Sequence, residues 1–166
     1  MTDEPEEPYP TEGLDVAWLG IDRDGYMGVF ITGGWAPIPT VALRPGALPI
    51  AEIEQLILAM PRVSAAAVKV SAPDTSSFVN FAERGFFVYD WVDQCAVPSG
   101  FGAYEIDAVP DNPIRIEAIS GVLATAAMPR FWKLRFADRG LVDVRTETRC
   151  CESKRTLDIW EMLGTR

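Results

Sequence analysis

Residues 86–92 read Phe-Phe-Val-Tyr-Asp-Trp-Val, a continuous run of large apolar side chains broken by one aspartate. No polar face can be drawn along it at either the helical or the strand period. Its length and its boundary at Gly85 indicate a strand. A strand that is apolar on both faces belongs at the centre of a sheet with both faces covered. The chain of 166 residues is long enough to build such a core within one domain.

The segments around that strand are consistent with such a sheet. Val16–Asp22, rich in large apolar residues, and Met27–Ile31, where Met27, Val29 and Ile31 alternate with Gly28 and Phe30, flank Asp24-Gly25, which predicts a hairpin closed by a two-residue type I′ turn. Gly33-Gly34-Trp35 with Pro37 and Pro39 reads as an irregular loop, and a short strand is expected near Val41–Leu43. Pro49 opens a helix whose apolar stripe is Ile50, Ile53, Ile57 and Met60, and Pro61 ends it. Residues 63–71 read as a small-residue strand. Asp74 is placed to cap a second helix lined by Phe78, Phe81 and Ala82 and closed by Gly85.

Strands are expected at Ala103–Val109 and Ile114–Ile119, on either side of Pro110–Pro113. In the last segment Trp132, Leu134 and Phe136 alternate with Lys133 and Arg135. After Gly140, Val142 and Val144 alternate with Asp143 and Arg145, which reads as a hairpin with its charges outward. Residues 156–163 form a closing element of open type. Many strands and two clear helices, without regular strand–helix alternation, predict an α+β fold. Its sheet is expected to be mainly antiparallel, with the two helices packed on one face. Residues 1–12 carry five carboxylates and three prolines and no base, and read as an acidic disordered tail before a single domain over 13–166.

The chain has no histidine, which removes Ser-His and Cys-His catalysis and histidine metal sites. Its net charge is −9, which disfavours general nucleic-acid binding. The bases gather late: residues 129–166 carry a net charge of +3. Cys95, Cys150 and Cys151 make neither a disulfide framework nor a CxxC pair and read as structural thiols. The acidic, proline-rich start is no signal peptide, and no apolar run approaches the ~20 residues of a membrane span. A cytoplasmic protein is expected, with no membrane role.

Two residue groups carry candidate chemistry. Asp90, Asp93, Glu105 and Asp107 could build a carboxylate cluster, since Glu105 and Asp107 share a strand face. No bound metal or cofactor is assigned to it on spacing alone. Trp35 stands in a Gly/Pro loop where burial is hard to arrange, near Asp22 and Asp24 in sequence. These three are the expected partner-binding residues. The Asp22–Gly25 stretch lacks the remaining ligands of a calcium loop, and a hairpin turn accounts for it. The basic Lys133/Arg135/Arg145/Arg149 face is the competing surface, suited to an acidic partner or a nucleotide.

The hairpin VAWLGIDRDGYMGVFITGGWAPIP over 16–39 and the segment FVNFAERGFFVYDWVD over 78–93 resemble small uncharacterised bacterial single-domain proteins. Those proteins look like the immunity proteins of polymorphic toxin systems. The resemblance implies a non-enzymatic, cytosolic bacterial protein that neutralises a toxin by binding it, and it supplies no catalytic residue. The acidity would suit a basic toxin domain as the protein partner. The alternative is a small metal-dependent enzyme or ligand-binding protein working through the carboxylates.

Overall fold

The computed structural model describes Tyr9, residues 13–93 and residues 102–153. The rest of the acidic segment, Cys95 with most of its loop, and the closing element expected at 156–163 lie outside the described residues. The strands are β1 (Ala17–Asp22), β2 (Met27–Ile31), β3 (Ile38–Pro39), β4 (Ala66–Val68), β5 (Phe87–Val92), β6 (Ala103–Pro110), β7 (Arg130–Phe131), β8 (Leu141–Val142) and β9 (Cys150–Cys151). The α-helices are α1 (Ile53–Leu58), α2 (Ser76–Ala82) and the single turn α3 (Val144–Glu147).

Seven strands form one sheet in the order β4-β6-β5-β2-β1-β7, with β8 pairing β6, and β3 and β9 pair separately. The fold is therefore α+β with a mixed, mostly antiparallel sheet. Two contacts are parallel, β2 with β5 and β1 with β7. The β2–β5 pairing needs a long crossover, and the chain between them holds β3, α1, β4 and α2. Helix α1 packs on β1, α2 packs on β4, β5 and β6, and the two helices touch.

β5 is central, as the aromatic run requires. Phe87, Val88, Tyr89 and Trp91 are all buried. Register aligns Trp18 with Phe30 and Phe30 with Tyr89, so three rings sit side by side across three strands. Trp18 stacks on Phe30 at 4.1 Å and Phe30 on Tyr89 at 4.9 Å. Such pairs add about 0.5–1.5 kcal/mol each beyond area burial. Polar tips are satisfied within the core. Trp18 Nε1 donates to the Tyr104 hydroxyl at 3.1 Å, which in turn donates to the Pro37 carbonyl at 2.9 Å.

Gly20 faces Gly28 across β1 and β2. A Cβ at Gly20 would meet Phe131 at 2.8 Å, and one at Gly28 would meet Phe136 at 2.9 Å. The paired glycines thus open a notch into which the C-terminal segment inserts its two buried rings.

Helix α1 follows the expected stripe, with Ile50, Ile53 and Ile57 buried and residues 50–52 forming a tighter 3₁₀ turn. Its last carbonyls are closed by a residue from elsewhere. Buried Arg84 donates to the carbonyls of Leu58 at 2.8 Å and Met60 at 3.0 Å. For α2, the Asp74 carboxylate accepts from the Ser76 amide at 2.9 Å and is held below its ordinary pKa by Ser76.

Four local expectations are corrected. The first hairpin closes through three residues, Arg23-Asp24-Gly25. Gly25 alone takes a positive φ, of 90°, so the turn is not type I′. Residues 40–43 form a 3₁₀ helix rather than a strand. Residues 114–119 contribute only a bridge from Arg115 to Tyr26 and then a 3₁₀ turn. The last segment is not a hairpin. The Leu134 amide donates to the Phe131 carbonyl at 3.1 Å, and this turn shifts the alternation by one position. Phe131, Leu134 and Phe136 are buried, whereas Trp132 faces out. Residues 144–147 are helical, and Asp143 and Arg145 turn inward: the Arg145 Nε lies 2.9 Å from the Asp143 carboxylate, with both side chains mostly buried.

Candidate functional site

Trp35, expected to stand free, is used by the fold. It is only 8% exposed and meets Trp91 edge-on at 5.9 Å. Trp91 packs in turn on Tyr104 at 5.3 Å, and the Arg145 guanidinium lies 5.6 Å from its ring centroid. Arg145 also donates to the Gly102 carbonyl at 2.7 Å. The Gly33-Gly34 turn folds the loop back, so the tryptophan reaches the core instead of solvent. The Tyr9 hydroxyl donates to the next carbonyl, Ala36, at 2.7 Å, which ties a residue of the acidic segment to this corner.

Asp22 is also structural. It is 1% exposed, and its carboxylate accepts from the amides of Asp24, Tyr26 and Phe136 at 2.9, 2.9 and 3.1 Å. One buried carboxylate thereby closes the first hairpin and fastens the C-terminal segment to it. Asp24 is at the surface, bound to Arg135 at 2.7 Å and 3.6 Å from Arg23. The three residues expected to act together do not meet, because β2 separates the turn bearing Asp22 and Asp24 from Trp35.

The carboxylates come closer to expectation. Asp90 on β5 lies directly opposite Glu105 on β6. Between Val88 and Tyr89 the register slips, because Tyr89 pairs Ile106 while Val88 pairs Ala108. Asp107 is the bulged residue, 4% exposed. Burial first, then the charges of Asp90 and Glu105, pushes its carboxyl up to about 7. Burial and the nearby Asp15 push Asp90 up to about 6, against the bond its carboxylate accepts from the Trp91 amide. Asp93 lies beyond the end of β5 and is exposed. The structure thus brings Asp90, Glu105 and Asp107 together and leaves Asp93 at the rim. Among the described residues, no group of three or more His, Cys, Asp or Glu side chains is arranged to hold a metal ion.

The exposed tryptophan that sequence reasoning missed is Trp132, which is 71% exposed. In β7, Phe131 turns inward against Asp22 of β1, so both neighbours turn out. The Arg130 guanidinium then lies 4.4 Å from the Trp132 ring centroid, while Arg130 Nη2 donates to the Arg23 carbonyl at 3.2 Å. The Arg23 amide donates to the Leu134 carbonyl at 2.9 Å, so the turn of the first hairpin flanks this segment. A signal was present in the sequence. Adjacent residues of a strand point to opposite faces, so in a strand covered on one side only, burying Phe131 turns Trp132 out.

Cys150 and Cys151 pair with Pro39 and Ile38 in the small sheet. Burial, followed by Glu152, pushes the Cys150 thiol up to about 12, far from a reactive thiolate. No helix among the described residues is long and apolar enough to cross a membrane. No family model, curated protein or solved structure matches this chain.

Proposed function

We propose that the protein is a non-enzymatic binding protein of the toxin-neutralising type, and that its partner docks on Trp132. The observation that carries the binding reading is a tryptophan left 71% exposed and covered on one face by an arginine. Tryptophan and arginine are the residues most enriched among interface hot spots. The toxin-neutralising part rests on the resemblance of segments 16–39 and 78–93 to immunity-like proteins. The two helices on one sheet face and a cytoplasmic location belong to the same proposal.

Affinity capture with wild type and Trp132→Ala tests it. A protein retained by wild type and lost by a folded Trp132→Ala variant supports the reading; equal retention sinks it.

A second reading keeps the carboxylates as a ligand or metal site, favoured by the burial of Asp107 beside Asp90 and Glu105. Thermal melts with Mg²⁺, Mn²⁺ or Ca²⁺ decide between them. An ion that binds only the native state must raise the midpoint, and an unchanged midpoint removes the metal form of this reading.

A further inference from the structure

The surroundings of Trp132 identify the chemistry of what docks there. Arg23, Arg130, Lys133 and Arg135 gather around the end of the first hairpin, on a chain whose net charge is −9. Asp24 answers two of them, Arg23 and Arg135, and Asp138 approaches Arg135 at 4.0 Å. Among the described residues, no carboxylate lies within ion-pair distance of Arg130 or Lys133. The fold therefore leaves an apolar ring and two cations together at one exposed place.

We infer that this surface takes an acidic segment of a protein partner, one that sets carboxylates beside an apolar side chain; the inference rests on the binding reading above. A guanidinium lying over an aromatic ring uses its face for the ring. Apart from the Nη2 bond to the Arg23 carbonyl, no hydrogen bond or ion pair engages its edge N–H groups among the described residues. Those edges match the two oxygens of a carboxylate. The ring offers the apolar contact, and exposed Lys133, the next residue in the chain, adds a second positive charge to the segment.

Long-range charge narrows the occupant. The acidic body of the chain repels an extended polyanion, which disfavours a nucleic-acid strand laid across it. A short acidic stretch on a partner meets only the local basic patch. Repulsion elsewhere then orients the encounter. This reverses the expectation of a basic toxin domain, which was drawn from net charge alone.

The test uses fluorescence anisotropy with three labelled peptides of about twelve residues that share one leucine and one tyrosine. The first is rich in Glu and Asp, the second carries Gln and Asn at those positions, and the third carries Lys. An oligothymidine of similar length is the fourth probe. The acidic peptide should bind the wild type at least about tenfold more tightly than the neutral one, and added salt should reduce the gap. The double variant Arg130→Glu/Lys133→Glu should invert the order of the acidic and lysine peptides. Trp132→Ala should weaken binding of the acidic peptide. Matching melting midpoints confirm that the variants are folded.

Equal binding of the three peptides, or none by any, overturns the inference, as does a preference for the lysine peptide. Tighter binding of the oligothymidine, lost in the double variant, moves the site to nucleic acid. The two readings fail separately. A captured protein lost by Trp132→Ala but kept by the double variant preserves the binding function and removes only the acidic partner.

Discussion

Replacing Asp107 with asparagine removes a carboxylate that the β6 bulge holds almost wholly out of solvent beside Asp90 and Glu105. In the native protein this carboxyl titrates at about 7, against 3.8 for a free one. At about 1.4 kcal/mol per pH unit between the two values, ionising it inside the fold costs up to about 4 kcal/mol relative to the unfolded chain. Water reaching the cluster past exposed Glu105 screens part of this, and about 2 kcal/mol is the expected cost. The sign follows from the raised value. Below about pH 4 both states hold the proton and nothing is lost; between about pH 4 and 7 the unfolded chain gives up its proton while the fold keeps it, so native stability falls across that window and levels off above it. Urea unfolding of wild type and Asp107→Asn at about pH 4.5 and about pH 8 measures this directly. The variant should match the wild type within about 1 kcal/mol at the lower pH and exceed it by about 2 kcal/mol at the higher. A variant equally destabilised at both pH values would refute the reasoning, because Asp107 would then serve the fold through contacts that do not depend on its charge.

Trp91→Ala removes the ring that packs on Trp35 and Tyr104 and lies under Arg145, and should cost about 3–5 kcal/mol in denaturant unfolding. Arg145→Met withdraws the ion partner of mostly buried Asp143 and should cost about 3 kcal/mol or more, read from the urea midpoint. Tyr9→Phe deletes one hydrogen bond to Ala36 and should lower stability by about 1 kcal/mol; a zero effect would mean that this contact adds nothing to the fold.

The sheet was legible where burial and period agreed. The run over 86–92 can only be central, and Ile50, Ile53 and Ile57 can only be one helical stripe. The two parallel pairings were not legible, since they join segments far apart in the chain and leave no local pattern. The C-terminal segment misled because one turn, Phe131 to Leu134, shifts the phase of an otherwise clean alternation. The proximity of Asp107 to Glu105 could be anticipated from their spacing, but the bulge that buries Asp107 depends on its pairing with β5.

The tryptophans show the same limit at the site. Composition says that five are present, not which one the core leaves over. Trp35 is consumed because Trp91 and the Gly33-Gly34 turn receive it. Trp132 is left because Phe131 fills the glycine notch instead. Asp22 likewise looked like a surface acid and is a buried acceptor of three amides.

The central claim is that Trp132 anchors a partner without serving the fold, and one paired measurement on Trp132→Ala tests both halves. Its thermal midpoint should stay within a degree or two of wild type, since the side chain is exposed. Calorimetry against the protein that wild type captures should show an affinity loss of about thirtyfold or more, or about 2 kcal/mol. Unchanged affinity in a variant of unchanged stability would contradict the account.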